Sequence, residues 1–317
     1  MLRVRSVLLA TALLAGLASA AAAQTYPSRP VTMIVPFPPG GNTDLMARAL
    51  QTEMSKALGQ TVIISNKGGA AGTLGILDLV RAEADGYTMA MTPNNPITAQ
   101  PHMLQLRYSM DTFRYVCLTY YTPYVLIAGP KAPFKTFAEF VTFAKAKPEN
   151  LVYGHPGVAG QPHLVMLGVL KAIGADGLGV PFQGAGPMAH ALLGGTIMAI
   201  TESPAVARAS NLPILAALSE ERVPGLPDVP TMKELGFPAQ GFSAGGLIVP
   251  AKTPDAAVNA LEQACAKATA ASEYKSIVER LGASPRYLPG AAFRKMFEED
   301  SVASADGIKR AGLGANR

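Results

Sequence analysis

Short apolar segments alternate with helical patterns along the first hundred residues of the chain. Val31–Val35 is a β-branched run, and Leu45–Leu58 carries apolar residues at helical spacing. Thr61–Ser65 and Tyr87–Met91 repeat the strand pattern, with a second helical segment at about Thr73–Ala84 between them. Strands that alternate with helices in this way pair in parallel and are covered by their helices. The pattern predicts a doubly wound α/β sheet.

The same alternation returns in the middle of the chain and predicts a second α/β unit. Its strands are expected at Leu151–Tyr153, Leu178–Pro181 and Thr196–Thr201, each followed by a loop and a helical segment. Other strands and helices are predicted between the units and at the end of the chain. They include Phe113–Tyr121, Tyr124–Ala128, Thr136–Lys147, Pro254–Ala271, Ser272–Leu281 and Ala291–Ala311.

The first strand ends in a segment that combines prolines with two glycines. Gly40 and Gly41 lack a Cβ atom, so the backbone can turn sharply and let a ligand reach its N–H groups. Asn42 or Thr43 is expected to cap the helix that follows, where free N–H groups attract anions. A tight strand-to-helix connection without a ligand explains the same residues, and this segment alone leaves both interpretations open.

Three further strand ends pass through glycine loops into helix starts, at Gly68, Gly157 and Gly184. The third strand ends in Asn94-Asn95, and ligands in open α/β sheets gather outside the carboxyl ends of strands. Gly40-Gly41 and Asn94-Asn95 are therefore expected to face one crevice. None of these loops offers an arginine that could grip a carboxylate. The repeated pattern predicts recognition of a carboxylate by backbone N–H groups and helix dipoles.

The first residues are predicted to be a signal peptide, residues 1–23, rather than part of the fold. Arg3 and Arg5 precede an apolar core, Val7–Leu17, and an alanine-rich stretch. The core is short and ends in alanines, which is typical of a signal peptide and not of a transmembrane anchor. Cleavage is expected after Ala23, or else after Ala20. The mature protein is expected to be exported and soluble.

The chain is mildly basic, and its Lys and Arg residues form no run. The 317 residues carry a formal net charge of +5, and removal of the leader with its two arginines lowers it to +3. No Lys/Arg run and no basic–aromatic interleaving occurs, so nucleic acid is not expected as a partner. The histidines are scattered and no metal-binding spacing exists, so neither a metal nor a cofactor is predicted.

The two cysteines, Cys117 and Cys265, lie in a strand-like run and in an alanine-rich helix. An oxidising compartment would permit a disulfide between them. The sequence offers no means of bringing the two segments together, so two buried free thiols are the favoured interpretation. Whether they pair stays open.

Gly241–Gly245 matches the Gly-x-Ser-x-Gly motif of serine hydrolases. In an α/β-hydrolase the histidine of the triad follows the serine in chain order, but the last histidine here is His190. The motif must also lead from a strand into a helix, whereas Gly246–Pro250 continues as a strand. A secreted hydrolase is kept only as a remote alternative.

Two ionisable residues stand near predicted strand ends. His163 opens a helix after Pro162, and capping or packing explains it better than base catalysis, since no partnered nucleophile is present. Glu202 follows a strand, where it could orient a ligand hydroxyl or amine. A solvated loop carboxylate explains Glu202 equally well.

Several runs spread over the whole mature chain carry a resemblance to a known family. They are Tyr26–Pro30, Val35–Asp44, Ile64–Asn66, Asp85–Thr88, Leu193–Gly195 and Leu226–Thr231. With these runs the chain resembles the Bug family, the periplasmic solute-binding proteins of tripartite tricarboxylate transporters. The resemblance implies a two-domain clamshell in which each domain is a doubly wound sheet flanked by helices. Its expected limits are 24–123 plus 246–317 for domain 1 and 124–245 for domain 2, with crossings near Val125–Gly129 and Ser243–Val249.

The resemblance also implies how a ligand is held in the cleft between the domains. Bug-like proteins grip a carboxylate with the first Gly-Gly loop, often through waters, and with the glycine loop of domain 2. Carried over by position, the expected ligand-binding residues in domain 1 are Phe37, Pro39, Gly40, Gly41, Asp44, Asn94 and Asn95. Those in domain 2 are Gly157, Val158, Gly160, Gln161, His163, Phe182, Gln183, Gly184 and Glu202.

Three positions in domain 2 depart from the usual pattern of the family. Ala159-Gly160 stands where members usually carry a glycine followed by Ser or Thr, which removes a hydroxyl donor. Phe182-Gln183 replaces a Tyr-Lys pair, and Ala244–Gly246 lacks an aromatic residue often found there. These changes predict a roomier and less polar half of the cleft. They favour an atypical ligand, bulkier or aromatic, whose carboxylate is still held at Gly40-Gly41.

The function implied by the resemblance is that of a non-enzymatic periplasmic binding protein. It would close on a carboxylate by a hinge motion and deliver it to the membrane subunits of a tripartite tricarboxylate-type transporter. A monomer is expected. An exported sensor that feeds a signalling partner through a sensor domain is the alternative, because the same cleft would serve it. A dicarboxylate, an aromatic carboxylate and an amino acid all stay open as the ligand.

Overall fold

The computed structural model describes residues 26–182, 184–223, 225–310 and 312–313, which form two β-sheets flanked by helices. This architecture confirms the predicted α/β fold class. The predicted signal peptide, residues 1–23, and the predicted site residue Gln183 lie outside the described residues. In the described part of the chain, no helix is long and apolar enough to cross a membrane.

The first sheet is mixed, with a parallel half and an antiparallel half. Its strands are β1 (Val31–Val35), β2 (Val62–Asn66), β3 (Thr88–Pro93), β4 (Phe113–Pro123), β10 (Phe242–Pro250) and β11 (Ser284–Pro289). Their order is β11-β4-β10-β3-β1-β2. β1 pairs in parallel with β2 and β3, as the alternation of strands and helices predicts. β10 runs antiparallel to β3 and β4, and β11 runs antiparallel to β4.

The second sheet has a similar division. Its strands are β5 (Val125–Ala128), β6 (Val152–His155), β7 (Leu178–Pro181), β8 (Ala199–Glu202) and β9 (Ile214–Ala217). Their order is β7-β6-β8-β5-β9. β6 pairs in parallel with β7 and β8, whereas β5 runs antiparallel to β8 and β9.

Helices connect the strands and cover both faces of the sheets. In the first half they are α1 (Asn42–Leu58), α2 (Thr73–Arg81), α3 (Asn95–Thr98), α4 (Gln100–Met103) and α5 (Phe137–Ala146). In the second half they are α6 (Gln161–Ile173), α7 (Ala185–Gly194), α8 (Pro204–Ala209), α9 (Asp255–Ala270), α10 (Ser272–Arg280) and α11 (Gly290–Arg310). The predicted capping box of α5 is present, with the Thr136 side chain accepting from the Glu139 N–H and the Glu139 carboxylate accepting from the Thr136 N–H.

Strand β1 shows why the central strands are apolar throughout. Met33 and Val35 point into one buried cluster with residues of α1 and α9, while Ile34 points into the opposite cluster with residues of α2 and α11. Successive side chains of a strand face opposite sides, so a strand covered on both sides needs apolar residues at every position. This double coverage makes β1 a rigid base for the loop that follows it.

The chain passes between the sheets at two neighbouring points. It leaves β4 at Pro123 and enters β5 at Val125, and it returns to the first sheet where β10 begins at Phe242. The N–H of Tyr124 donates to the carbonyl oxygen of Gly241 at 2.8 Å, which ties the two crossings together. Both crossings come just before the segments expected from the sequence.

Cys117 and Cys265 form a disulfide, so the favoured prediction of two free thiols was wrong. Cys117 lies on β4 and Cys265 on α9, and both belong to the buried cluster beneath that helix, with Cα atoms 6.6 Å apart. Their 148-residue separation in sequence gave no sign of this proximity, because the packing of α9 on β4 is a tertiary contact.

The Ala244–Gly246 segment does not enlarge the cleft as predicted. Ala244 is buried in the cluster around α11. A Cβ atom on Gly245 would lie 2.6 Å from the Tyr120 hydroxyl, and one on Gly246 would collide with the carbonyl oxygen of Cys117. The glycines therefore let β10 approach β4 closely. Ser243 lies inside the continuous strand β10, which excludes the hydrolase elbow at this motif.

Candidate functional site

The carboxyl ends of two sets of parallel strands open toward one gap between the sheets. From the first sheet, the loops after β1 and β3 lie there, and from the second sheet the loop after β6 does. The Asn95 side-chain amide donates to the carbonyl oxygen of Ala159 at 3.0 Å, which joins the loop after β3 directly to the loop after β6. Crevices of this kind are where open α/β sheets bind ligands.

Three helices that follow parallel strands start from glycines and have no side-chain cap. α1 begins after Gly41, α6 after Gly160 and α7 after Gly184, and none of the three has a side-chain cap hydrogen bond. The prediction that Asn42 or Thr43 caps α1 was wrong, since the helix already includes both residues. The first-turn N–H groups of an uncapped helix remain available to an anion, and the helix dipole adds to the attraction.

Asp44 holds the first glycine loop in shape. The N–H of Gly40 donates to its Oδ2 at 2.9 Å, Arg48 Nε donates to the same oxygen at 2.9 Å, and Asn66 Nδ2 donates to Oδ1 at 2.9 Å. Burial alone would raise the pKa of Asp44, but the hydrogen bonds from Arg48, Gly40 and Asn66 keep this pKa below its ordinary value. Asp44 is only 1% exposed, so it acts on the site by positioning the loop.

The remaining loop residues show how the turn is built. Gly40 has a positive φ of 82°, which favours glycine, and there is open space where a Cβ would stand. The carbonyl oxygen of Phe37 accepts from Asn66 Nδ2 at 3.0 Å, and its ring packs over Gly72. Pro39 is exposed. The N–H of Gly40 is thus bonded to Asp44 at 2.9 Å, whereas the N–H of Gly41 makes only a long contact of 3.5 Å with the carbonyl oxygen of Pro38, so Gly41 is the better placed of the two to offer a donor.

Asn94 and Asn95 are both buried at the end of β3. Asn94 Nδ2 donates to Asp300 Oδ2 at 2.9 Å, and Thr98 Oγ1 donates to the same oxygen at 2.6 Å. Asn94 Oδ1 is enclosed and has no hydrogen-bond partner among the described residues. The asparagine pair therefore anchors α11 on one side, through Asp300, and contacts the second sheet on the other.

The loop after β6, which is the second glycine loop, contains a residue with a strained backbone. Ala159 is fully buried and has a left-handed φ of 52°, which costs a non-glycine residue about 1 kcal/mol. Its N–H donates to His163 Nδ1 at 3.0 Å while its carbonyl oxygen accepts from Asn95. Gly157 has open space beside its Cα atom, and the side chain of Val158 is half exposed.

His155 and His163 form a stacked pair behind this loop. Their ring centroids lie 3.8 Å apart with an interplanar angle of 7°. Burial lowers the pKa of His163 to about 4, with a further contribution from His155, and burial also lowers the pKa of His155. Both rings are therefore neutral at neutral pH. The contact from His163 Nδ1 to the loop supports the capping and packing interpretation of this residue.

Glu202 is buried at the end of β8, which excludes the interpretation as a solvated loop carboxylate. The N–H of Ser203 donates to its Oε1 at 2.7 Å. Burial raises the pKa of Glu202 from 4.5 to about 7, and the contacts with Ser203 offset only part of this effect. The carboxyl group is therefore near its own midpoint of ionisation at neutral pH.

The other predicted residues of the second sheet lie at helix starts or against the core. Gln161 is the first residue of α6, and its Oε1 is enclosed without a partner among the described residues. Phe182 packs against the hydrophobic cluster beside β6, and its N–H donates to the carbonyl oxygen of His155. Gly184 has a positive φ of 106° and precedes α7.

A row of polar residues at the crossings was missed by the sequence reasoning. Tyr120, Thr122 and Tyr124 alternate along the end of β4 and the crossing, and Ser243 pairs with Thr122 in the register of β10. All of them are buried, and the hydroxyls of Tyr120 and Thr122 have no hydrogen-bond partner among the described residues. The period-two spacing of polar residues in an otherwise apolar strand was the signal that could have revealed them.

In the described part of the chain, no group of three or more His, Cys, Asp or Glu side chains could hold a metal ion. The arrangement instead combines backbone N–H groups, neutral imidazoles and one buried carboxyl. Such groups can orient a small polar molecule.

The sequence profile of a known family matches residues 46–313 of the chain, and this family is described as the tripartite tricarboxylate transporter family receptor, TctC. The chain belongs to the TctC family. Protein BugT from Bordetella pertussis is 36% identical over 245 residues, which cover 75% of this chain and 74% of BugT. The resemblance stated from the sequence is thereby confirmed.

Solved structures of TctC-like proteins have the same fold. MatC from Rhodopseudomonas palustris with bound malate is 30% identical, with a TM-score of 0.82 over 89% of this chain and 100% of MatC. An R. palustris protein with adipate is 25% identical, with a TM-score of 0.86 over 91% of this chain and 99% of its own. The TctC family is one of periplasmic solute-binding proteins, and this chain shares its two-domain architecture.

Proposed function

We propose that this protein captures a carboxylate between its two sheets and delivers it to the membrane subunits of a tripartite tricarboxylate-type transporter. Two observations support this proposal: helix starts without a side-chain cap follow parallel strands of both sheets, at Gly41, Gly160 and Gly184, and Asn95 joins the loop after β3 to the loop after β6. The related proteins with malate and adipate support a carboxylate as the ligand class.

The remaining features of the proposal follow the expectations from the sequence. Residues 1–23 serve as the signal peptide for export to the periplasm, and the mature protein acts as a monomer without enzymatic activity. The domains comprise 24–123 plus 246–317 and 124–245. The linked crossings at Tyr124 and Gly241 act as the hinge between them.

A thermal-shift experiment with matched carboxylates and amides tests this function. Adipate and benzoate are compared with adipamide and benzamide, along with further pairs of the same design. Because backbone N–H groups and helix dipoles favour a negative charge, at least one carboxylate is expected to raise the Tm while its amide does not. Equal shifts for both members of every pair, or no shift by any carboxylate, would count against the proposal.

A substitution at Gly41 tests whether the carboxylate raises the Tm by binding at the start of α1. Gly41 has φ −74° and ψ 164°, which any residue can adopt, and a Cβ would meet only the Pro38 oxygen at 3.5 Å. Gly41→Val should therefore fold normally but block the start of α1 and abolish the carboxylate shift. Gly168→Ala, in the middle of α6 with open space around it, is the matched control and should keep the shift.

A further inference from the structure

We propose that the loop after β6 is held in its binding shape by a socket on the first sheet that receives Ala159, and that Ile308 is a positioning residue in this socket. The Ala159 socket comprises Asn95, Ala99, Gln100 and Ile308. The inference rests on the proposed function and adds to it the way in which closure of the sheets shapes the second glycine loop.

The backbone of Ala159 depends on groups outside its own loop. Its φ of 52° lies in the left-handed region, and a non-glycine residue keeps such a conformation only where its surroundings fix it. Its carbonyl oxygen accepts from Asn95 Nδ2 at 3.0 Å and, over a longer distance of 3.4 Å, from Gln100 Nε2. Both amides follow β3 of the first sheet. The N–H of Ala159 donates to His163 Nδ1 at 3.0 Å, and of these three bonds only this one is made to a helix of the second sheet.

The side chain of Ala159 is also buried with residues of the first sheet's helices. Ala159 forms a buried apolar cluster with Ala99, between α3 and α4, and with Ile308, near the carboxyl end of α11. Ala159 and Ala99 are fully buried, and Ile308 is 2% exposed. The preceding residue, Val158, is 50% exposed, so the burial belongs to Ala159 itself and not to the whole loop. The cluster therefore joins a loop of the second sheet to two segments of the first.

The socket is fixed to the first sheet by contacts that do not involve the loop after β6. Asp300 on α11 accepts from Asn94 Nδ2 at 2.9 Å and from Thr98 Oγ1 at 2.6 Å, which ties this helix to the end of β3 and to α3. Phe293 and Phe297 of the same helix pack into the buried cluster on the first sheet. The socket therefore keeps its shape when the sheets move apart, and the loop is the part that loses support.

Separation of the sheets would remove the supports of Ala159 on one side. Its carbonyl oxygen would lose both amide donors and its methyl group would meet water, while the bond to His163 would remain. A left-handed alanine without such supports relaxes toward the common conformations with negative φ. Gly160, the next residue, precedes α6, and its N–H donates to the carbonyl oxygen of Gly157 at 3.1 Å, so a rotation at Ala159 changes the turn from which α6 starts. Closure and the binding shape of this loop are thus one two-state change.

Ile308 acts on the proposed ligand site through Ala159. α11 carries none of the residues expected to bind the ligand, and an isoleucine side chain has no hydrogen-bond donor for a carboxylate. Its contribution is to the wall of the socket. Removal of this side chain should therefore loosen the loop after β6 and leave the loop after β1 unchanged.

Residue-resolved amide hydrogen exchange of the protein without added ligand tests the proposal. The amide to observe is that of Gly160, which is bonded to Gly157 in the closed arrangement. Ile308→Ala should speed its exchange about tenfold, because the loop is released more often. Val302→Ala, a truncation on the same helix at a residue that is 73% exposed, is the matched control and should leave the rate unchanged.

A double-variant cycle separates an effect that passes through Ala159 from a general loosening of α11. Ala159→Gly removes the methyl group from the socket and lets the backbone adopt a left-handed φ without strain. In this background Ile308→Ala should speed the exchange of Gly160 by less than about threefold, since the methyl group that it acts on is already absent. Equal acceleration in both backgrounds would overturn the positioning role.

The radius of gyration from small-angle scattering is the second readout. It should be larger for Ile308→Ala than for the wild type, because a weakened socket favours separation of the sheets. Ile308→Val, which removes one methyl group, should give smaller changes of the same sign and serves as the test if Ile308→Ala does not fold. An unchanged radius together with an unchanged exchange rate of Gly160 would overturn the inference.

Binding of the carboxylates used in the thermal-shift series, adipate and benzoate among them, keeps failure of this inference apart from failure of the proposed function. A carboxylate that binds the wild type should bind Ile308→Ala about tenfold more weakly, and equal binding would contradict the positioning role. If no carboxylate bound the wild type, the proposed function would fall, while the exchange and scattering measurements would still decide whether Ala159 couples the loop to closure.

Discussion

Glu202 lies at the carboxyl end of β8, and its environment is the least expected property of the site. Its position after a strand was predicted from the sequence, but its burial could not be, because it depends on the pairing of β8 with β5, whose Val125 lies 77 positions earlier in the chain. The same limit applies to Asp44. Its spacing from Gly40 was visible in the sequence, whereas its bond to Asn66 depends on the pairing of β1 with β2.

The pH dependence of stability should reveal the environment of Glu202. Its pKa is about 7 in the folded protein and 4.5 when exposed, so the folded state keeps the proton while the unfolded state releases it. This contribution to stability is fully present below pH 4.5 and is lost as the pH rises to about 7. The loss amounts to about 3 kcal/mol.

The measurement compares the unfolding free energy of the wild type with that of Glu202→Gln between pH 4.5 and 8. The unfolding free energy of the wild type should fall relative to that of the variant as the pH rises to about 7. Above that pH the difference between the two should stay constant. Contributions from His155 and His163 are common to both proteins and cancel. A constant difference over the whole range would show that Glu202 is solvated.

Replacing Asp44 should destabilise the protein because its partners would be left buried without an acceptor. Asp44→Ala leaves the Gly40 N–H and the Asn66 amide unpaired, and a loss of about 2–4 kcal/mol in urea denaturation is expected. Arg48→Met is the matched control. The Arg48 side chain is half exposed, so its removal should cost less than about 1 kcal/mol. Equal losses in both variants would contradict the positioning role of Asp44.

Strands and long helices were predictable because their apolar periodicity spans whole elements. α5 with its capping box and strand β7 agree closely with the prediction. The short helices α3 and α4 were missed, since four residues with a proline in the first turn carry no period. They matter for the site, because α3 begins at Asn95 and fixes its side chain toward Ala159.

The disulfide between β4 and α9 should contribute to stability by restricting the unfolded chain. The double variant Cys117→Ala, Cys265→Ala is expected to lose about 2–4 kcal/mol of unfolding free energy. Ligand affinity should change little, because α9 packs on the sheet away from the gap. Chemical denaturation of the wild type with and without a reductant provides an independent check, and equal stability in both would exclude the bond in solution.

The hydrogen bond from Asn95, at the start of α3, to Ala159 in the loop after β6 should favour the closed arrangement of the two sheets. Asn95→Ala removes the hydrogen bond to Ala159, worth about 1 kcal/mol, so a carboxylate ligand should bind about fivefold more weakly. Small-angle scattering should show a larger radius of gyration without ligand. Asn150→Ala, at an exposed asparagine, is the control. A variant with unchanged affinity and radius would show that this bond does not stabilise closure.

The two sheets of the molecule share one kind of helix start. Helices without a side-chain cap follow parallel strands of both sheets, at Gly41, Gly160 and Gly184, and such helix starts favour an anion. The sequence predicted these starts because glycine loops recur at strand ends. It did not predict the burial of Tyr120, Tyr124 and Glu202, because the two crossings lie side by side only in the folded chain.

A crystal structure of the protein with the carboxylate that stabilises it most is the most direct test of this account. The ligand carboxylate is expected between the sheets, hydrogen-bonded to backbone N–H groups at the starts of α1 and α6. A ligand bound outside this gap, or one whose carboxylate is held by a lysine or arginine side chain instead, would contradict it.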